Sequence, residues 1–372
     1  MAQLPPKQAG EGWVQLFDGE TLFGWTAEGK SQWQVKDGAL RPADNTDTGW
    51  LRHNARFADF TLYVEFRVPK PDTNSGLFLR SAKEGAPETT GYELQIWDQR
   101  PTFKTGSLVN HLEAKRSKLK TNFWHTYEVT MLGDRITVKL DGKTVLDGRD
   151  AKSRSGYIGL QYNKDNPCEF RNVRVRPLGL ESTFNGKDLS GWREVKTPNA
   201  KEPPVWSVKD GMLNVVKGAG QLETEGTWAN FILQLDIRPN SQDPNRHPNS
   251  GVFFRGMPGQ FWSGYESQIR NEYKDDPSKP VDFGTGGIYR NQPARRIVAK
   301  DNEFFTKTIL ADGRRLMVWV NGYLVSDWED PNPEGTNVRQ KQAVLAPGPI
   351  SLQAHDPTTN LDFRNLRIVA LP

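Results

Sequence analysis

The chain is poor in the features that mark several common classes of protein. Its 372 residues include one cysteine, Cys168, which excludes an internal disulfide bond and a zinc site built on cysteines. No apolar run approaches the roughly 18 residues of a membrane-spanning helix, so we expect no membrane span. The net charge of +4 is spread along the chain, and no basic run carries interleaved aromatic residues. This argues against a nucleic-acid partner.

The beginning of the chain, MAQLPPKQAG, also lacks the apolar segment of a signal peptide. If a signal peptide has been removed from a longer precursor, we expect a periplasmic or secreted protein. A long amphipathic helical pattern is missing as well.

What is abundant points to a β-rich globular protein. The 34 Gly and 25 Pro residues suit many short strands joined by turns. The 12 Trp residues fit a sandwich core, and they also fit exposed aromatic faces that bind sugars. We favour core packing for most of them.

The dominant feature of the sequence is an internal repeat whose segments recur in the same order. It predicts two tandem domains, at 11–178 and 179–372. The clearest pairs are LFDGETLFGW at 16–25 with TFNGKDLSGW at 183–192, NSGLFLR at 74–80 with NSGVFFR at 249–255, GYELQI at 91–96 with GYESQI at 264–269, and FRNVRV at 170–175 with FRNLRI at 363–368.

Most of the repeated segments alternate apolar and polar residues. In the second copy, Leu235 and Ile237 alternate with Asp236 and Arg238. A period of two predicts strands with one buried face, and Asp-Gly and Asn-Gly pairs predict hairpin turns between them. The predicted class is therefore all-β, with two sheets packed as a sandwich in each domain.

The polar positions of these strands form a candidate site if the sheet is curved. Ordinary sheet exteriors rarely gather two acids, an Arg, a His and two amides, although each residue alone is more often part of a cross-strand ion pair. The set in the second copy is Asp236, Arg255, Glu266, Gln268, Gln353 and His355, and the first copy matches it with Glu65, Arg80, Glu93, Gln95 and Gln161.

The two copies differ at His355, which is replaced by Asn163 in the first copy. Histidine exchanges protons near neutral pH and asparagine does not, so chemistry is expected in the second domain. The acids and His355 are also possible ligands of a divalent cation, but no ligand spacing identifies one.

Taken together, the repeated segments resemble the DUF1080 family, described as 3-keto-disaccharide hydrolases. The resemblance covers almost the whole chain from Trp13 to Pro372 and implies a concanavalin A-like jelly-roll sandwich in each domain. It also implies cleavage of glycosides that carry a ketone at sugar C3, by C2 deprotonation, elimination and addition of water. In one respect the chain departs from the family pattern, since Asp356 follows His355 where the family has Gly.

The resemblance implies roles for the candidate residues. His355 or Glu266 is expected to be the base, with Arg255 stabilising the enolate oxygen and Asp236 orienting His355 or holding a cation. Trp262 and Tyr289 are expected to stack on a sugar ring. The full set of expected substrate-binding residues is Gln268, Gln353, Trp262, Tyr289, Asn249, Glu93, Gln95 and Arg80.

Three other functions remain open at this point. The same features suit a non-catalytic, lectin-like protein that binds an oligosaccharide or glycoside. A module for protein interactions would bind no sugar at all. A two-carboxylate glycosidase using Asp236 and Glu266 would cleave unoxidised sugars.

Overall fold

The computed structural model describes residues 4–44, 46–115, 118–197, 200, 202–243 and 245–372. It divides the chain into two compact units, one formed by Trp13–Gly179 and the other by Leu180–Leu371 together with Leu4–Gly12. Helix α1 (Pro6–Gly10) therefore belongs to the second unit. None of the described helices is long and apolar enough to cross a membrane.

In its described residues, the first unit consists of antiparallel strands and one short helix, α2 (Pro87–Thr90). Its strands are β1 (Val14–Gln15), β2 (Trp25–Gly29), β3 (Trp33–Lys36), β4 (Ala39–Pro42), β5 (Gly49–Phe57), β6 (Phe60–Arg67), β7 (Ser75–Ser81), β8 (Tyr92–Ile96), β9 (His125–Leu132), β10 (Arg135–Leu140), β11 (Lys143–Arg149), β12 (Gly156–Tyr162) and β13 (Glu169–Pro177).

The described part of the second unit repeats this series of strands and adds one 3-10 turn, Val338–Gln340. Its strands are β14 (Glu181–Ser182), β15 (Trp192–Lys196), β16 (Val205–Lys209), β17 (Met212–Val216), β18 (Gly220–Thr224), β19 (Phe231–Pro239), β20 (Ser250–Phe254), β21 (Tyr265–Ile269), β22 (Phe305–Asp312), β23 (Arg315–Val320), β24 (Tyr323–Glu329), β25 (Ser351–Ala354) and β26 (Asn360–Ala370).

Each unit has a larger and a smaller sheet with the same strand order. The larger sheet of the first unit runs β11-β10-β9-β6-β13-β4-β3, and that of the second unit runs β24-β23-β22-β19-β26-β17-β16. In addition, β1 pairs with β13 and β14 pairs with β26. The smaller sheets run β2-β5-β12-β7-β8 and β15-β18-β25-β20-β21. The predicted all-β class, with two tandem jelly-roll sandwiches, is confirmed.

The hydrophobic core of the second unit lies between its two sheets. Leu235 and Ile237 of the larger sheet and Val252 and Phe254 of the smaller sheet are at most 1% exposed and belong to one apolar cluster. Burying these alternating positions fixes the register of each strand, because a slip of one residue would expose the whole apolar set. The polar residues of the smaller sheet consequently face outward from the sandwich.

Candidate functional site

Strand pairing aligns polar residues in rows on the outward side of the smaller sheet in the second unit. One row has Phe253 opposite Glu266, and the next has Gly251 opposite Gln268. We call this surface the polar face, and it comprises Gln221, Glu223, Gly251, Phe253, Glu266, Gln268, Ser351 and Gln353.

Glu266 is held at the centre of this face by close packing. Its carboxyl group lies over Gly251, where an added Cβ would be 2.3 Å from Glu266 Oε1. The indole Nε1 of Trp262 donates a hydrogen bond to Glu266 Oε2 at 3.3 Å. Burial raises the pKa of Glu266 to about 7, against the opposing effect of the Trp262 hydrogen bond. A carboxyl group with this pKa can take up and release protons near neutral pH.

Glu266 lines a pocket of about 140 Å³. Trp262, Tyr289, Arg290 and Arg339 form much of its wall. The guanidinium carbon of Arg339 lies 3.5 Å from the centre of the Trp262 ring, and that of Arg290 lies 5.3 Å from it. The pocket thus combines one carboxyl group, aromatic surface and two guanidinium groups.

The loop that carries Trp262 is fastened to the polar face. Gln221 Oε1 accepts a hydrogen bond from the Trp262 backbone N–H at 3.0 Å, and Glu223 Oε1 accepts one from the Gly259 N–H at 2.9 Å. Glu223 is fully buried and also pairs with Arg193. These contacts keep the Trp262 indole beside Glu266.

A second chain of polar contacts runs from Gln268 to His355. Gln268 Nε2 donates to Asp282 Oδ2 at 3.1 Å, and Asn249 Nδ2 lies 3.5 Å from the same oxygen. Asn249 Nδ2 is also 3.4 Å from His355 Nε2. His355 Nδ1 pairs with Asp356 Oδ2 at 2.9 Å, so Asp356 orients the imidazole ring.

A buried lysine lies beneath the strand that carries Glu266. Lys307 of β22 is fully buried, and its Nζ donates to the backbone oxygens of Ser267 at 3.1 Å and Gln268 at 2.8 Å. It also contacts Ser267 Oγ at 3.2 Å. Burial lowers the pKa of Lys307 to about 7, and the charge of Glu266 opposes this shift. Tyr127 occupies the position of Lys307 in the first unit, and its hydroxyl donates to Gln95 O at 2.7 Å.

The structure brings most of the predicted residues of the second domain together. They are Glu266, Gln268, Gln353, His355, Asn249, Trp262 and Tyr289.

Arg255 does not join this group, and the prediction that it stabilises an enolate is wrong. Its φ of +55° breaks the strand alternation, and the side chain turns away from the polar face. The guanidinium donates to the backbone oxygens of Ala229, Gly313 and Val344 and to Asn230 Oδ1, which leaves it no role in a pocket. Arg80 repeats this arrangement with a φ of +52°, so its predicted role in substrate binding is also wrong.

Asp236 lies on the larger sheet, away from the polar face. Its carboxylate accepts hydrogen bonds from Thr306 Oγ1 and Asn365 Nδ2, both at 2.7 Å, and it pairs with Arg364. The prediction that it orients His355 is therefore wrong, because Asp236 lies on the larger sheet, whereas His355 follows β25 of the smaller sheet. A two-carboxylate site formed with Glu266 is excluded for the same reason.

The first unit has the matching face but fills it with its own side chains. Glu93 and Gln95 lie at the positions of Glu266 and Gln268. Gln161 Nε2 donates to Glu93 Oε1 at 3.1 Å, and burial raises the pKa of Glu93. Trp50 pairs with Gln161 across the sheet and is only 6% exposed. A large aromatic side chain thus occupies this face where the second unit has Gln221.

Sequence reasoning missed Asp282, Arg290 and Arg339. Asp282 lies in the long insertion that follows β21, which marked a functional loop without identifying the residue. Arg339 lies in a connection, 330–350, whose counterpart in the first unit is only 150–155. The difference in length between these two connections is the sequence feature that could have drawn attention to the segment carrying Arg339.

No group of three or more His, Cys, Asp or Glu in the described part of the chain is arranged to hold a metal ion. The divalent cation considered from the sequence stays a prediction.

Comparison with known proteins identifies the family. The model of the family described as 3-keto-alpha-glucoside-1,2-lyase-like domain matches residues 12–176 and again 179–369. The chain belongs to this family and carries two copies of its domain. The sequence-based assignment to the 3-keto-disaccharide hydrolases is thereby confirmed.

Individual relatives are more distant. A 3-keto-disaccharide hydrolase of Bacteroides thetaiotaomicron is 29% identical over 121 residues, which cover 29% of this chain and 41% of the relative's length. A crystal structure of a Parabacteroides distasonis protein with a glycosyl hydrolase name is 19% identical with a TM-score of 0.42, and it covers 47% of this chain and 98% of its own. The carbohydrate-binding module CBM66 of Bacillus subtilis is 20% identical with a TM-score of 0.34, covering 41% and 95%.

Proposed function

We propose that the second unit cleaves glycosides that carry a ketone at sugar C3, with Glu266 as the base. Family membership supports the substrate class. The observation that carries the proposal is a nearly buried carboxyl group with a pKa of about 7 in a pocket lined by two arginines. Such a pKa suits a general base that works near neutral pH.

The ketone makes the C2 proton acidic, and Glu266 removes it. The electron pair moves onto the C3 oxygen as an enolate. When it returns, the C1–C2 double bond forms and the bond from C1 to the leaving oxygen breaks. Water then adds its hydroxyl to C1, its remaining proton replaces the one given to the leaving oxygen, and Glu266 returns its proton to C2. The net reaction consumes one water and regenerates both the acid and the base.

Positive charge in the pocket supports the enolate step. Arg290 and Arg339 both line the pocket that Glu266 enters, and a fixed charge is most effective where negative charge develops. We assign them the role that the sequence analysis gave to Arg255.

We assign to His355 the protonation of the leaving oxygen. It lies one row beyond Gly251, a displacement of about 7 Å along the strand, because two residues of a strand span that length. Its side chain is 42% exposed, so a leaving group bound beside it has access to solvent. The Asp356 contact holds the ring with Nε2 directed toward Asn249.

We assign the binding of sugar hydroxyls to amide groups on the same face. Gln353 Oε1 and Asn249 Oδ1 are buried acceptors without a hydrogen-bond partner in the part of the chain that the structure describes. A buried acceptor without a partner is costly, and a ligand hydroxyl would satisfy it.

The test is turnover of a chromogenic 3-keto-glucoside beside its unoxidised parent, by wild type, Glu266→Gln and the matched control Glu93→Gln. We expect Glu266→Gln to lower turnover of the keto substrate by about 10² to 10⁴-fold, as for loss of a general base. Glu93→Gln should match wild type, because its face is filled. EDTA followed by added divalent cations shows whether a metal takes part.

Other results would contradict the proposal. Unchanged turnover in Glu266→Gln removes Glu266 from the mechanism, and cleavage of the unoxidised parent indicates an ordinary glycosidase. Binding of the sugars without cleavage of either favours the lectin-like alternative.

A further inference from the structure

Three cationic side chains line the pocket beside Glu266. They are Arg290, Arg339 and Lys341, and Glu266 is the one carboxyl group among the described lining residues. A single enolate needs one compensating charge at the moment it forms. The pocket therefore has more positive charge than the proposed reaction requires.

None of the three cations forms an ion pair with a carboxylate in the described ranges of the chain. Elsewhere in the same unit arginines commonly do so, as in the pairs Arg193–Glu223 and Arg315–Asp327. Asp282, a further carboxylate near Glu266, is bonded to Gln268 and lies 3.6 Å from Arg270 Nη1. Among the described lining residues, the three cations thus face a single carboxyl group, Glu266, whose charge opposes the lowering of the Arg339 pKa.

Arg339 and Arg290 are also held close together despite their like charge. Both stack against Trp262, and burial together with the charge of Arg290 lowers the pKa of Arg339. A stacked guanidinium keeps its N–H edges free, and those edges match the oxygens of a carboxylate, sulfate or phosphate.

The cations are particular to the second unit. Asn110 occupies the position of Arg290 in the first unit, with a similar positive φ, +64° against +62°. Arg339 and Lys341 lie in the long connection 330–350, which the first unit replaces with 150–155. The second unit thus differs from the first in both the pocket and the positive charge that lines it.

We infer that the pocket takes a glycoside with a negative charge of its own, and that Arg290, Arg339 and Lys341 together supply the positive charge that recognises it, beyond what the enolate needs. The shared chemistry is an anionic group on the sugar, either the carboxylate of a uronic acid or a sulfate or phosphate ester. As a statement about a substrate the inference rests on the proposed function, but as a statement about binding it is tested separately.

The experiment measures equilibrium binding of unoxidised sugars by calorimetry, which needs no turnover. The probes are nitrophenyl glucoside, nitrophenyl glucuronide, and the 6-sulfate and 6-phosphate of the glucoside. We expect at least one charged probe to bind about tenfold more tightly than the neutral glucoside, with a preference that falls as salt is added. Preference for the glucuronide identifies a carboxylate, and preference for an ester identifies a sulfate or phosphate.

Variants then assign the preference to the pocket. Arg339→Gln and Lys341→Gln should each lower the ratio of charged to neutral affinity, and Arg290→Asn, which copies the first unit, should do the same. Lys187→Gln is the control for net charge, because Lys187 is exposed and lies outside the pocket. It should leave the ratio unchanged.

Equal affinity for charged and neutral probes in wild type would overturn the inference, as would a preference that survives all three pocket variants. Failure of the proposed function can be distinguished from failure of this inference. If the neutral 3-keto-glucoside is cleaved but no charged probe is preferred, the reaction stands and the anionic substrate does not. A charged preference without any turnover leaves an anion-selective sugar-binding pocket.

Discussion

The two units share one strand order but differ in what covers the smaller sheet. On the first unit, Trp50 packs against Phe78 and Arg52 stacks on Tyr157, so the face is closed by its own side chains. On the second unit, Gln221 and Glu223 stand at the places of Trp50 and Arg52 and fasten the Trp262 loop instead. The same scaffold therefore supports a filled surface in one copy and a pocket in the other.

This difference separates the repeated residues with a structural role from the surroundings of Glu266. Arg80 and Arg255 are repeated, and both serve as internal clamps at the end of a strand. Glu65 and Asp236 are also repeated, and each binds side chains of the neighbouring strand on the larger sheet. Repetition thus marks the architecture, whereas Glu266 gains its environment from residues that the first copy lacks.

The largest effect on the difference between the two units is expected from a substitution of Gly251, which lies under Glu266. In Gly251→Ala, the new Cβ would lie 2.3 Å from Glu266 Oε1, so the carboxyl group must move. Because a displacement of about 1 Å at a reacting group can cost 10²-fold, we expect a loss of that order in kcat/KM for a 3-keto-glucoside.

The matched control is Gly76→Ala in the first unit, where the new Cβ would meet Leu94 O at 2.9 Å and Gln161 Oε1 at 3.2 Å. Both variants are expected to lose some stability, measured by thermal unfolding. The activity loss should be confined to Gly251→Ala, and comparable activity in the two variants would show that the glycine does not position Glu266.

A smaller effect on activity is expected from giving the second unit the core residues that the first unit has beneath the strand corresponding to β21. The double variant Ser267→Leu with Lys307→Tyr installs the pair that Leu94 and Tyr127 form in the first unit, and it keeps a hydroxyl donor for the carbonyl of residue 268. The positive charge of Lys307 favours the ionised form of Glu266. Its loss raises the pKa of Glu266 above its value of about 7.

The acidic limb of the pH profile of kcat/KM should therefore move to higher pH by up to about one unit, since the base must be ionised to act. The indole N–H resonance of Trp262, followed by NMR against pH, reports the same titration without turnover because this group donates to Glu266. An unshifted titration would show that Lys307 only fills the core.

Much of the fold could be predicted from the sequence, because alternation and the internal repeat both reflect burial. Tyr265 and Ile269 face the core as their spacing indicates, with Glu266 and Gln268 on the other side. The residues of the candidate site were harder to predict from the sequence. Alternation places Arg255 outward, but its positive φ turns it inward, and nothing in a strand pattern reveals that change.

Alternation also says nothing about which of two sheets a strand joins, and Asp236 was misplaced for that reason. Arg339 contacts Trp262 across 77 residues of sequence, counted from 262 to 339, and only the folded loops bring them together. Periodicity thus identified the outward residues of the smaller sheet, such as Glu266 and Gln268, but it did not identify the sheet that Asp236 joins or the contact of Arg339.

The smallest expected effect is also the most direct check of the comparison. Asn163→His gives the first unit the histidine that the sequence analysis took as the decisive difference. When this change is made in the Glu266→Gln background, we expect no turnover of a 3-keto-glucoside above the residual level of Glu266→Gln, so that any gain would come from the first unit. The imidazole would stand near a face closed by Trp50, with Thr102, Val109 and Asn110 at the places of Asp282, Tyr289 and Arg290. Turnover by this variant would show that a histidine suffices and that the filled face opens to substrate, whereas its absence places the functional difference in the whole set of side chains around Glu266.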